Sequence, residues 1–201
     1  MKCLFIFILL NFICFAFGQT AEEFYNNGFQ KQESQDYLGA IADCDSALKI
    51  DSKNVQVYYL RGLAKYKLED YNGAINDFNT ALKLSALSRQ SYYLRGLAKF
   101  KLNDYKGALA DYNTAIKFYP ANGGAYYNRG LLKVRLNDYR GAILDYDKAI
   151  KYSKKNRAII YMDRGIANKG INNFEGACLD WKKAVELGDT ESEILSKKYC
   201  E

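Results

Sequence analysis

Histidine is absent from this 201-residue chain. Histidine is the commonest general base and metal ligand of proteins, so its absence removes the usual starting point of a catalytic or metal site. The sequence also lacks metal-ligand spacings, a glycine-rich phosphate loop between a strand and a helix, and a serine or cysteine placed beside a base. We therefore expect no catalysis, no metal and no cofactor.

Long charged runs are also missing, although Lys and Arg outnumber Asp and Glu by 29 to 23. Runs of five or six like charges are typical of nucleic-acid arms and membrane patches. Beyond residue 18 the chain has no further long apolar stretch. These two absences predict that the protein has no nucleic-acid partner and no stable membrane span.

The first residues have the pattern of an export signal. Lys2 is followed by an almost unbroken apolar run from Leu4 to Phe17, and Ala16-Phe17-Gly18 offers small residues at a cleavage site. We predict that residues 1–18 are a cleaved signal peptide, that residues 19–201 are the mature chain, and that the protein is periplasmic or secreted. The alternative is an uncleaved anchor, for which the run is short of the ~20 residues that span a bilayer.

A fixed period dominates the rest of the chain. The segment YYLRGLAKYKLEDYNGAINDFNTALKL at 58–84 returns as YYLRGLAKFKLNDYKGALADYNTAIKF at 92–118. The glycines that mark the period are Gly28, Gly62, Gly96, Gly130 and, after one extra residue, Gly165. A fixed period of this length indicates stacked structural repeats. The units run over residues 21–54, 55–88, 89–122, 123–157 and 158–189.

Each unit has two helical segments. Tyr59, Leu63 and Tyr66 follow the i, i+4, i+7 spacing of one helix face, and a break at 69–70 precedes a second helix over 71–84. The repeat glycine lets the first helix lie close against the second because it has no side chain. Each unit is therefore predicted to be an antiparallel helical hairpin.

The spacing of aromatic, glycine and alanine positions resembles the tetratricopeptide repeat. In the third unit these positions are Tyr92, Gly96, Tyr105, Ala108, Tyr112, Ala115 and the closing Pro120. The resemblance implies an all-α fold, a right-handed α-solenoid of five tetratricopeptide-type helical hairpins. A final helix over 190–199 is expected to cap the open end.

The resemblance also implies a ligand site on the concave face formed by the first helices. The residues predicted to line this groove are Tyr25, Phe29, Tyr59, Leu63, Tyr66, Tyr93, Leu97, Phe100, Tyr127, Leu131 and Val134. An aromatic stripe of this kind suits a peptide or protein segment. The expected function is a non-catalytic scaffold for another protein. Two alternatives stay open: the stripe packs between repeats, or the protein is a structural component of a cell-envelope or secretion complex.

An arginine precedes the repeat glycine in four units, and an aspartate follows that arginine after sixteen residues. The pairs are Arg61 and Asp77, Arg95 and Asp111, Arg129 and Asp145, and Arg164 and Asp180. We predict a structural ion pair in each of these hairpins, and a hydrogen bond between Asn27 and Asp43 in the first unit. Arginines that bind anions in the groove are the alternative.

Basic residues also recur near the end of each first helix, as Lys65/Lys67, Lys99/Lys101 and Lys133/Arg135. We interpret this ladder as a solvated edge, with attraction of acidic segments as the alternative.

Three cysteines follow the predicted cleavage site. Cys44 occupies an aromatic position of the repeat and is expected to be buried. Cys178 and Cys200 lie about equally far from the turn at 188–189, so antiparallel helices would bring them level. In an oxidising compartment they are predicted to form a disulfide; the alternative is two unrelated thiols.

Overall fold

The computed structural model describes residues 19–86 and 88–200. The predicted signal peptide, residues 1–18, lies outside the described residues. Within the described ranges the chain forms helices and no strands. The helices are α1 (Ala21–Glu33), α2 (Tyr37–Ile50), α3 (Val55–Lys67), α4 (Tyr71–Leu84), α5 (Arg89–Lys101), α6 (Tyr105–Phe118), α7 (Gly123–Arg135), α8 (Tyr139–Tyr152), α9 (Arg157–Gly170), α10 (Phe174–Glu186) and α11 (Thr190–Tyr199).

The turn inside each hairpin is built by a short repeated motif. In the third unit Asn103 takes a positive φ of 61° and reverses the chain. Asp104 then caps α6, and its carboxylate accepts a hydrogen bond from the backbone N–H of Gly107 at 2.9 Å. A Cβ on Gly107 would lie 2.1 Å from that carboxylate. The cap and the glycine are therefore required together, which explains why they recur together along the chain.

The core of each hairpin lies between its two helices. Tyr112 is fully buried on α6, and its ring covers Gly96 of α5, where an added Cβ would lie 2.8 Å from Cε1 of the ring. The same place on the other second helices is taken by Cys44, Phe78, Tyr146 and Trp181, all fully buried. The repeat glycine thus makes room for one large side chain per unit, and Cys44 in the first unit is the small exception.

The hairpins stack so that each second helix packs against the first helix of the next unit. The first helices of successive units also contact one another, which puts them on the more closely spaced, inner side of the stack. The structure is an all-α solenoid in which α1, α3, α5, α7 and α9 line the concave face. No helix of the described part is long and apolar enough to cross a membrane.

The final helix, α11, covers the end of the stack. Leu195 and Tyr199 pack against the core around Trp181, and Lys169 of α9 lies 3.9 Å from the centre of the Tyr199 ring. Cys178 of α10 and Cys200 are joined by a disulfide, with their Cα atoms 5.7 Å apart. The cap is therefore held by apolar packing, by a cation–π contact and by a covalent link.

Candidate interaction groove

The repeated arginines and aspartates meet inside each hairpin. Nε of Arg95 donates to Oδ2 of Asp111 at 2.9 Å, Nη2 donates to Oδ1, and Lys99 Nζ lies 2.8 Å from Oδ2. The fork-to-fork geometry of this pair is the strong form of a charged hydrogen bond. The same double contact joins Arg61 to Asp77, Arg129 to Asp145 and Arg164 to Asp180. The arginines are occupied by these contacts within the fold.

Two expectations about charged residues are corrected here. Asn27 is exposed, and Asp43 instead pairs with Lys31 at 2.7 Å, because a lysine one helical turn later reaches the carboxylate. Half of the basic ladder is likewise not a free edge. Lys65, Lys99 and Lys133 each lie 2.8 Å from the aspartate of their own hairpin. Only the alternate residues of the ladder, Lys67, Lys101 and Arg135, are exposed.

The predicted groove residues all lie on the first helices. Phe29 is 47% exposed, and the others are half-buried. Tyr93 and Leu97 pack against the core of the second unit and also against that of the third. The aromatic stripe therefore both packs between repeats and lines the exposed groove. Its inner edges pack between repeats, and its outer edges form the accessible floor of the concave face.

Two pockets open on either side of Tyr93. The first has a volume of about 340 Å³ and the second about 310 Å³. The first is lined by Tyr93, Arg89, Gln90, Ala115, Tyr119 and Asn122. The second is lined by Tyr93, Gly124, Tyr127, Asn128, Ser153, Lys155, Asn156, Ile159 and Ile160. The missing side chain at Gly124 helps to open the second pocket, because the same helix position carries Gln56 and Gln90 in the preceding units.

Polar contacts join the first helices along the floor of this groove. Asn128 Nδ2 donates to the Tyr93 hydroxyl at 3.0 Å and to the Gly124 carbonyl at 2.8 Å. The Tyr127 hydroxyl donates to Oδ2 of Asp163 at 2.9 Å. Asn128 and Asp163 were not among the residues predicted to line the groove. Asn128 and Asp163 occupy the repeat position that carries the buried Leu60 and Leu94 in the second and third units. This change from an apolar to a polar residue was the signal in the sequence. The groove therefore changes from apolar to polar along its length.

Asp163 has a distinctive electrostatic environment. Burial raises the pKa of its carboxyl to about 6, against the lowering effect of the hydrogen bond from Tyr127. Glu191 and Asp189, at the start of α11, raise the pKa further. Burial and the charge of Asp163 likewise raise the pKa of Tyr127. Carboxyl groups with shifted pKa values are common at functional sites, so Asp163 is a candidate site residue.

The remaining cysteine, Cys44, is buried and free in the first hairpin. Burial raises the pKa of its thiol to about 12. It is therefore an inert packing group. Among the described residues, no group of three or more acidic or cysteine side chains is placed to hold a metal ion.

Comparison with known families agrees with this architecture. Tetratricopeptide repeat models match residues 59–123 and 123–156. The chain contains tetratricopeptide repeats. These matches cover the second, third and fourth hairpins, and the first and last hairpins lie outside them. The prediction of an all-α tetratricopeptide-type solenoid is confirmed.

Solved structures with the same fold cover most of the chain. The MamA protein is 27% identical with a TM-score of 0.75, over 89% of this chain and 94% of that one. MamA from Desulfovibrio magneticus RS-1 is 23% identical with a TM-score of 0.78, over 86% and 97%. YrrB, a tetratricopeptide repeat protein with an unusual peptide-binding site, is 22% identical with a TM-score of 0.75, over 89% and 92%. No curated protein sequence matches the chain.

Proposed function

We propose that this protein is a non-catalytic scaffold that binds a peptide or protein segment in its concave groove. The observation that carries the proposal is the pair of pockets on either side of Tyr93 on the inner face. Aromatic side chains bury a large area at a small entropic cost, so a half-exposed aromatic floor is suited to a protein ligand. The groove also offers hydrogen-bonding groups at Asn128 and Asp163 that can fix the orientation of that ligand.

The arrangement of charges supports a groove ligand over an anion bound by the repeated arginines. Those arginines make bidentate contacts to aspartates, so their donors are already used. The pockets, by contrast, combine aromatic and aliphatic side chains with polar ones such as Asn122 and Asn128, and this mixture is suited to a recognition site. The fold that this chain shares with MamA and YrrB is compatible with such a role.

A structural role in a larger assembly is the second candidate. Leu144 and Leu179, on the second helices, are 66% and 64% exposed. Such side chains on the outer face offer contacts that do not involve the groove. We also propose, from the sequence of residues 1–18, that the protein is exported and acts in the periplasm or outside the cell.

The experiment that tests the proposal is an affinity pull-down from the envelope fraction of the native cells. The groove variant is Gly124→Gln, which restores the glutamine of the earlier units and fills the second pocket. Its matched control is Ala110→Gln, which places the same side chain at an exposed position of α6. Circular dichroism melting must show that both variants are folded.

A defined partner that is held by the parent and by Ala110→Gln, but lost by Gly124→Gln, supports the groove. Retention by both variants shows that the groove assignment is wrong. If only Ala110→Gln loses the partner, the binding surface lies on the second helices, and the assembly role is favoured.

A further inference from the structure

Asp163 differs from the half-buried or buried aspartates on the second helices of the solenoid. Each of those has a cation within 3 Å: Asp43 has Lys31, Asp77 has Arg61 and Lys65, Asp111 has Arg95 and Lys99, Asp145 has Arg129 and Lys133, and Asp180 has Arg164. No cation of residues 19–86 or 88–200 forms an ion pair with Asp163. A carboxylate that is partly removed from water without a counter-charge is destabilised, because burial disfavours its charged form.

The groups around Asp163 do not compensate its negative charge. Its Oδ2 accepts the neutral hydrogen bond from Tyr127, and Oδ1 has no hydrogen-bond partner among the described residues. The charged groups that influence it from α11, Asp189 and Glu191, are both negative. Lys155 lines the same pocket as Tyr127 but makes no ion pair with Asp163. Among the described residues, none of these three neighbouring carboxylates forms an ion pair with a cation.

A second polar group in this region is also without a partner. The side chain of Tyr146 is fully buried, and its hydroxyl makes no hydrogen bond to the part of the chain that the structure describes. Its ring lies 6.1 Å from that of Tyr127, and burial, followed by the charge of Asp163, raises the pKa of its hydroxyl. Buried polar groups normally find partners, but Tyr112 at the same position of the third hairpin also has a buried hydroxyl without one. The feature that is particular to the region of Tyr146 is therefore the unpaired carboxylate of Asp163.

We infer that Asp163 is the anchor for a lysine or arginine side chain of the protein segment that binds in the groove. The inference rests on the proposed function and specifies the chemistry of its ligand. Tyr127 lines the second pocket and donates a hydrogen bond to Asp163, which places the carboxylate next to one wall of that pocket. A guanidinium or ammonium group supplies the donors for Oδ1 and the charge that the protein itself does not provide.

The polarity of this anchor is specific to the C-terminal half of the groove. Tyr59, Leu63 and Leu97 make the floor of the preceding units apolar. The ligand is therefore an amphipathic segment, with apolar side chains over the second and third hairpins and a basic side chain at the fifth. An acidic segment would meet three like charges at this end and is disfavoured.

The test is a selection of random decapeptides displayed on phage against the chain of residues 19–201. Parallel selections use Asp163→Asn, which keeps an oxygen acceptor for Tyr127 but removes the charge. The matched control is Glu175→Gln, which removes an exposed carboxylate on α10. One selected peptide is then synthesised with its basic residue intact and with norleucine in its place, and both affinities are measured by fluorescence polarisation.

The expected result is enrichment of lysine or arginine at one peptide position with the parent and with Glu175→Gln, but not with Asp163→Asn. Asp163→Asn should weaken binding of the basic peptide about tenfold and leave the norleucine peptide unchanged. Peptides without a basic preference, or with one that survives in Asp163→Asn, overturn the anchor and leave the groove proposal intact. Failure of the parent to select any peptide overturns the groove proposal as well.

Discussion

Nη1 of Arg95 lies 2.6 Å from the side-chain oxygen of Asn79, a residue of the preceding hairpin. The same guanidinium holds Asp111 of its own hairpin with its other nitrogens, and it lies 5.5 Å from the centre of the Tyr92 ring. One side chain therefore links three helices. The contact to the preceding hairpin recurs at Arg61 with Asp45, Arg129 with Asn113 and Arg164 with Asp147.

Replacement of Arg95 by alanine should destabilise the protein strongly. Asp111 is 3% exposed and would keep only Lys99 as a counter-charge. We expect a loss of about 3 kcal/mol in the free energy of unfolding, measured by urea denaturation. The control Lys101→Ala removes an exposed cation from the same helix and should cost less than about 0.5 kcal/mol. Equal losses in the two variants would contradict the structural role of Arg95.

The repeat glycines should differ in their tolerance of a methyl group. In Gly96→Ala the new Cβ would lie 2.8 Å from the buried ring of Tyr112, and we expect a loss of about 1–3 kcal/mol. In Gly28→Ala the nearest atom is the Ala40 carbonyl oxygen at 3.3 Å, because Cys44 replaces the aromatic ring. Thermal melting of both variants checks this prediction. A Gly28→Ala variant that melts as low as Gly96→Ala would show that the ring is not the cause.

The disulfide between Cys178 and Cys200 should stabilise the C-terminal cap. Closing a loop of 22 residues is worth about 3 kcal/mol in the chain-entropy model. We expect Cys200→Ser to lower the melting temperature and to speed hydrogen exchange in α11, with little change in α1 and α2. Dithiothreitol should lower the melting temperature of the parent and leave that of Cys200→Ser unchanged. If dithiothreitol does not change the melting temperature of the parent, the disulfide does not stabilise the cap.

Asp163 should make the stability of the protein fall as the pH rises from about 4 to about 6. Its carboxyl has a pKa of about 6 in the folded protein against 3.8 for the free group. In this window the folded state keeps a proton that the unfolded state has lost, so the free energy of unfolding decreases with pH. Above about 6 both states are ionised, and the folded state bears the whole cost of the buried charge.

The variant Asp163→Asn isolates this effect. It should be more stable than the parent at pH 7.5 by about 1–2 kcal/mol, and the difference should become small near pH 3.5, where the parent is mostly protonated in both states. Urea denaturation of both proteins at the two pH values gives the difference directly. A variant that is less stable than the parent at pH 7.5 would show that the carboxylate is compensated within the fold.

The sequence contained most of the information about the hairpin because that information is local. The period of 34 residues, the glycine opposite an aromatic residue and the spacing of sixteen residues between Arg95 and Asp111 all lie within one unit. Within such a unit, helix geometry alone brings the two residues to facing helices. The segment 71–84 was accordingly predicted as a helix, and α4 spans those residues.

Contacts between units were harder to infer. The pairing of Arg95 with Asn79 depends on how the third hairpin rests on the second, and the choice of Lys31 over Asn27 as the partner of Asp43 depends on side-chain reach. The exposure of the groove residues also depends on contacts between units. Their spacing showed that they share a helix face, but only the stacking of hairpins shows how much of Tyr93 stays accessible.

The sequence by itself determined the repeat, its two helices, the break between them at 69–70 and the pairing of charges inside a hairpin. The tertiary structure alone decided that Asp163 lies against Tyr127 at an end of the groove where the neighbouring charges from α11 are negative. The physical reason is that helix periodicity is set by neighbours along the chain. The burial and the field at a carboxylate are set instead by side chains from separate hairpins, which come together only when the solenoid stacks.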